Sequence, residues 1–438
     1  MVLKTATIKK KQNNIIQIDF HRRLIITLLI LINASLIANN HDSTTLSRYI
    51  ETALKNNPDV KSAYYDWQSE IQQIAVAKRL PNPSLSFGYF LQNVETAVGP
   101  QEYKLGFTQM IPWFGKLKLQ GDLQALQAEI AHYHLQQRSN ELRSNVIRAY
   151  YDYYLLKRSI AITEQNVDLV RQWETLVRSK YASARKSYAD VVNVQIELRK
   201  LEDDLQTLLE QEAVIIENFR ALLNDPNVNQ IDVPDSLSIV KKSFTPEEIL
   251  SMIRQNNPGL LSAEIMVTLS ETGVKRKKLN FLPDLGIGAD YIFTGDRYVN
   301  NVKVTESGKD PLAVGISLSL PIWVGKQKAD LQSARDKQQS SLETQQNLNN
   351  QLSAKTSDLL YQLDDADRKI RLNKDDLIPK SIELLKVTET AYVSGNVDFL
   401  SLIDAQRKYL QFLLDYERAG ARYFQILVQL ELLTGRTL

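Results

Sequence analysis

His132 and His134 are the residues whose type and spacing first suggest chemistry, because two nearby imidazoles can begin a metal site. An i,i+2 pair does not share a helix face, however, and no third ligand type clusters beside them, so both read as surface histidines and no metal site is expected. The chain has no cysteine, which excludes a disulfide framework, a thiolate metal centre, a cysteine nucleophile and lipid attachment to an N-terminal cysteine. Neither a Ser-His-Asp spacing nor a phosphate-binding loop is present, so the chain reads as a non-enzyme with no cofactor. The run Lys275-Arg276-Lys277-Lys278 lies just before a predicted strand. With a net charge of only +2 it reads as an interfacial or solvated face, not a nucleic-acid patch.

What the sequence carries instead is repetition. Asn56-Asn57-Pro58 returns as Asn256-Asn257-Pro258, and its flanks follow: Thr45 answers Thr245, Ser62-Ala63 answer Ser262-Ala263, Pro83 answers Pro283 and Gly88 answers Gly288, an offset of about 200 residues. Further on the offset drifts to about 210, with Pro112-Trp113-Phe114-Gly115-Lys116 facing Pro321-Ile322-Trp323-Val324-Gly325-Lys326. Gln195 then faces Gln406, and Leu222-Leu223 face Leu432-Leu433. One structural unit has been duplicated: a first repeat over 39–225, a connection over 226–244 and a second repeat over 245–438.

The first 38 residues have the layout of a secretory signal: basic Lys9 to Lys11 and Arg22-Arg23, then apolar Leu24 to Ile32, then small residues to Ala38. The apolar run is well short of the roughly 20 residues a membrane span needs, so export is expected. The full chain of 438 residues, 43% hydrophobic and 24% charged, can bury a core, while a mean hydropathy of −0.28 excludes a polytopic helical membrane protein.

Thr45 to about Arg79 reads as a helix bent at its proline, and its counterpart opens on Thr245-Pro246-Glu247-Glu248, a capping box with proline at the first helical position. Four alternating stretches follow. Leu85, Phe87, Tyr89 and Leu91 share one face, as do Tyr103, Leu105 and Phe107. Leu285, Ile287, Ala289, Tyr291 and Phe293 do the same, and so do Leu312, Val314, Ile316, Leu318 and Leu320. Small or polar residues fill the opposite faces. Each repeat thus contributes a β-hairpin, 84–111 and 285–320, with a long polar loop expected over Gln92 to Glu102 and Gly295 to Pro311.

Strands of about nine residues with apolar outward and small inward faces match an outer-membrane barrel better than a soluble hairpin. Trp113 and Trp323, just past the same end of their hairpins, are placed as membrane-interface anchors. Four strands cannot close a barrel, and an open edge in lipid costs several kcal/mol per unpaired backbone group, so identical copies must complete it. Two copies give eight strands and a filled lumen; three give twelve and room for a channel. After each hairpin a long helical pattern runs without a break from Lys116 to about Tyr181, and from Lys326 to Tyr392 with a break expected near Leu377 because of Pro379. Returning helices complete helical hairpins over 116–223 and 326–434.

The order of these motifs resembles the TolC-like outer-membrane efflux protein family. The likeness rests on Tyr392 and Gly395 followed by Leu402-Ile403-Asp404-Ala405-Gln406, on the paired Asn-Asn-Pro, on the joints that run from Pro112 and Pro321 to Gly-Lys and on the terminal Leu432-Leu433-Thr434-Gly435. It implies a mainly α fold with a transmembrane β part. A homotrimer would form a twelve-stranded barrel in outer-membrane lipid, continued by a twelve-helix tunnel through the periplasm of a Gram-negative-type bacterium. It also implies partners, a periplasmic membrane-fusion adaptor and an inner-membrane RND-type transporter, with the chain itself a passive duct. The compact length and the Pro-Trp-Phe-Gly-Lys joint look most like the metal-cation-efflux branch; drug-efflux and type I protein-secretion ducts, or a periplasmic coiled-coil scaffold without a pore, are the alternatives. In the family a carboxylate ring gates the periplasmic end. The matching places here are Ser401 and Asp404, with Asp190 facing Ser401 in the first repeat, and Tyr392 matches a tyrosine that latches neighbouring helices. The turns at Ala184, Arg185 and Lys186 and at Gly395 and Asn396 match the adaptor-docking tips.

Overall fold

The computed structural model describes residues 41–183 and 187–438. The expected leader over 1–38 lies outside the described residues, as do the tip positions Ala184, Arg185 and Lys186. Contacts divide the chain at Arg48. Of the first unit only His41–Arg48, the opening turns of a helix, is described; all that follows concerns the second unit, Tyr49–Leu438.

Each repeat opens with two helices and not one bent one, which corrects the expectation. In the first they are α1 (His41–Asn56) and α2 (Pro58–Ala77). Asn57 between them is extended at φ −62° and ψ 128°, because the residue before a proline is driven out of the helical region. Its side chain then caps the new helix by accepting from the Asp59 amide at 2.9 Å. The other end of that side chain donates to the Leu222 carbonyl at 3.1 Å, at the close of the repeat. The second repeat does the same: Asn257 accepts from the Leu260 amide at 2.8 Å and donates to the Leu433 carbonyl at 2.8 Å. The duplicated Asn-Pro pair and the duplicated Leu-Leu ending are therefore two halves of one joint.

The four long strands form one antiparallel sheet, ordered β1 (Ser84–Thr96), β2 (Gly99–Ile111), β3 (Asp284–Thr294) and β6 (Leu312–Ser319). Leu85 pairs with Phe107, Phe87 with Leu105 and Tyr89 with Tyr103, so the alternating apolar set lies on one face. That face continues through Tyr103 with Phe293 and Leu105 with Tyr291 to Ile287 with Ile316. The first connecting loop is much shorter than expected. Strands β1 and β2 continue to a turn at Ala97-Val98, and the surplus residues are taken up by a register shift between Tyr89 and Val94. The second loop is long and carries its own small hairpin, β4 (Tyr298–Val299) and β5 (Val302–Lys303).

From the sheet, α3 (Lys116–Ala182) runs 67 residues, about 100 Å at 1.5 Å per residue, and α4 (Tyr188–Leu223) returns. The second repeat has α5 (Pro246–Asn256), α6 (Pro258–Lys278), α7 (Val324–Leu372), a π-helical turn over Asn373–Leu377, α8 (Ile378–Ser394) and α9 (Phe399–Thr434). The break expected at Leu377 is that π turn, which absorbs the hydrogen bond Pro379 cannot donate. Helix α7 begins at Val324, slightly ahead of the Gly-Lys expected to open it. Helix α3 packs against both returning helices, α4 and α9. Among the described residues no helix is long and apolar enough to cross a membrane.

Candidate functional site

The candidate sites lie at the two ends of the helices. At the far end, α3 finishes at Ala182 and α4 restarts behind Ser187, whose hydroxyl accepts from the Ala189 amide at 3.1 Å. The second tip is described throughout. Gly395 sits at φ +85°, the left-handed conformation that glycine adopts without strain, and its neighbour Asn396 donates to the Ala391 carbonyl at 2.9 Å to end α8. Asp398 then caps α9 by accepting from both the amide and the hydroxyl of Ser401, at 2.9 and 2.7 Å.

Behind the tips, Val170, Trp173 and Val177 of α3, Val191 and Val194 of α4, and Phe399, Leu402 and Ile403 of α9 form one buried cluster. Tyr392 is fully buried in it, edge-on to Phe399 at 5.4 Å between ring centres, with the Lys180 ammonium 5.3 Å from its own ring. Burial, then the charge of Asp190, pushes the Tyr392 hydroxyl up to about 12. Ser401 and Asp404 are elsewhere. One turn apart on α9, both are exposed, and the Asp404 carboxylate meets the Lys408 ammonium at 2.8 Å. Of the four candidate gate residues, Tyr392 is buried, Asp190 half-buried, and Ser401 and Asp404 exposed.

Sequence reasoning missed the polar links that join the two repeats. Gln406, fully buried, donates to Asn166 at 3.0 Å. Arg407 grips the almost fully buried Glu197 carboxylate through two nitrogens, one at 3.0 Å. Higher up, the adjacent Tyr153 and Tyr154 of α3 donate in opposite directions, to Glu212 of α4 and to Glu417 of α9, each at 2.7 Å. One turn on, Lys157 and Arg158 reach the same two carboxylates at 3.3 and 2.9 Å. Burial and the carboxylate partners hold both tyrosine hydroxyls well above their ordinary range. The signal that could have found this was the doublet itself: paired tyrosines one turn before paired cations on a helix flanked on two sides.

At the sheet end, Trp323 is exposed and Trp113 half-buried, both just past their strands. Lys116 is buried, donating to the Asp284 carboxylate at 2.7 Å and the Leu282 carbonyl at 3.1 Å, and the Trp113 amide donates to the same carboxylate at 2.7 Å. His132 departs from the surface reading: half-buried, it packs 4.9 Å from the Trp67 ring and contacts Gln136 at 2.9 Å. His134 is exposed. Among the described residues no cluster of three metal-ligating side chains exists, and within the basic run Lys277 pairs with Asp330 of α7 at 3.3 Å.

A four-stranded sheet with one apolar and one small-residue face, carried on long paired helices in two repeats, defines the outer-membrane channel class. The chain belongs to the Outer membrane efflux protein family, which matches residues 49–225 and again 249–436. It is 22% identical over 381 residues to nodulation protein T of Rhizobium leguminosarum bv. trifolii, covering 83% of this chain and 79% of that one. It is 20% identical over 385 residues to outer membrane efflux protein BepC of Brucella suis, with the same shares covered. In structure it is similar to the outer membrane protein VceC of Vibrio cholerae, with a TM-score of 0.75, 16% identity, and 90% of this chain and 97% of that one covered. The family is one of efflux channels of the Gram-negative outer membrane and not of enzymes, and this chain is an outer-membrane efflux channel protein whose helices extend into the periplasm.

Proposed function

We propose that the chain is the passive exit duct of a tripartite efflux system, in which three copies close a twelve-stranded barrel and a twelve-helix tunnel. The observation that supports this is the state of the sheet's outer strands. Among the described residues strands β1 and β6 each pair with one neighbour only, and β6 is exposed along its whole length, with Val314 and Ile316 about three-quarters exposed. An unpaired edge with an apolar face is unstable in water and costly in lipid, so β6 of one copy pairs with β1 of the next. The tips around Gly395 and Asn396, with Ala184, Arg185 and Lys186, dock on a periplasmic adaptor, and an inner-membrane RND-type pump supplies the energy. Divalent cations are the first cargo to test, on the Pro-Trp-Phe-Gly-Lys joint and compact length alone; drugs and secreted proteins are the other classes.

Three copies of Asp404 around one axis would repel each other and attract cations, so Asp404, with Ser401, Asp190 and Tyr392, makes the periplasmic constriction. The test is mass measurement in detergent followed by planar-bilayer recording. A trimer that conducts is expected, and Asp404→Ala raises its single-channel conductance. A soluble monomer without conductance would leave a periplasmic scaffold, and an unchanged trace would remove Asp404 from the gate.

A further inference from the structure

The sheet's small-residue face carries charge at one height. On β2 the inward positions run Lys104, Gly106, Thr108 and Met110, and on β3 they run Gly286, Gly288, Asp290 and Ile292. Gly106 is directly opposite Asp290 on one side and Ser86 on the other. A Cβ built on Gly106 would lie 2.5 Å from the Asp290 carboxylate and 2.5 Å from the Ser86 hydroxyl. That space is therefore taken by the Asp290 side chain, which lies along the wall over Gly106. There it meets the Lys104 ammonium at 3.3 Å, diagonally across the two strands. Both side chains remain about two-fifths exposed. The Asp284 carboxylate, also on this face, stands at its end and is engaged by buried Lys116.

We propose that the Lys104–Asp290 pair is a charge-selectivity element of the barrel lumen, distinct from the carboxylates at the helical tips. The proposal rests on the duct reading above, which makes the small-residue face the lumenal one. Three copies then put three cations and three anions at one level of the wall. Because glycine at 106 lets each pair lie flat, the lumen keeps its width while the opposed charges nearly cancel for a passing ion. Removing one partner leaves three like charges around the axis, and the sign of the remaining charge decides which ions are favoured.

The experiment is the reversal potential of the purified full-length channel in a planar bilayer under a potassium chloride gradient. Asp290→Asn should shift the permeability ratio toward chloride and Lys104→Gln toward potassium, each by at least about threefold, the Boltzmann weight of a single one of the three unit charges about 7 Å from an ion in water. The double variant should return to the wild-type value. Shifts of opposite sign that cancel in the double variant would not arise from a purely structural role. Identical reversal potentials in the wild type and both single variants, each conducting, would overturn the pair's role while leaving the duct intact. A wild-type protein that passes no current would remove the duct reading and this proposal with it.

Discussion

The two repeats agree where the chain closes on itself and differ where it meets something else. Asn57 and Asn257 make the same pair of hydrogen bonds, to their own helix start and to the end of the returning helix, because every repeat has to bring those two ends together. At the sheet end the agreement stops. Lys116 is buried against Asp284 of the other repeat, while its counterpart Lys326 is exposed. In the middle, α3 is unbroken over 67 residues, while the second repeat is interrupted by a π turn before Pro379. Helix α3 packs against both returning helices and is clamped to each, and it carries no proline where the second repeat has Pro379.

Removing the clamps should break this comparison most sharply. Arg158→Met leaves Glu417, only 8% exposed at its side chain, without its counterion and should cost about 3 kcal/mol. Lys157→Met, beside the more open Glu212, should cost under about 1 kcal/mol. Thermal unfolding in detergent, followed by circular dichroism, checks both, and equal losses would deny that α3 is held more tightly to α9 than to α4. Next in size is the joint: Lys116→Met should destabilise by about 2 kcal/mol, discounted because Asp284 keeps some solvent and the Trp113 amide, whereas Lys326→Met should stay within about 0.5 kcal/mol. Asn57→Ala and Asn257→Ala should cost about 1 to 2 kcal/mol each and by similar amounts, since each loses a cap and a second hydrogen bond; a large inequality between them in urea melts would show that the duplicated joints are not equivalent.

The smallest effect is a pH slope confined to the first repeat, since the second has no histidine. Burial holds the His132 imidazole below its ordinary 6.5, against the opposing charge of Glu129. The unfolded chain therefore binds this proton more readily, so stability is present above pH 6.5 and is lost as pH falls through the depressed folded value. His132→Gln should flatten that part of the stability–pH curve, and a slope unchanged in the variant would assign it to other groups.

Strand alternation, helix length and the repeat were legible because they are periodic along the chain, and the apolar register of β1 against β2 follows from that alternation alone. Asn57 shows where reading stopped. Its motif was visible as a repeated word, but its partner Leu222 is 165 residues away, and no local rule pairs them. The tight Ala97-Val98 turn was hidden for a related reason: the stretch from Gln92 to Glu102 looks like a loop until the register shift after Tyr89 brings Val94, Glu95 and Thr96 opposite Gln101, Pro100 and Gly99.

The sequence by itself determined the duplicated architecture and the two-faced strands, since hydrophobic period and proline position act within a few residues. Only the tertiary structure decided which charges are spent on cross-links and which face open space. Glu197 and Asp404 are both carboxylates on long helices, and only three-dimensional packing buries the first against Arg407 and leaves the second in solvent beside Lys408. Coulombic pairing depends on distance through space, and that distance is set only when separate helices are brought side by side.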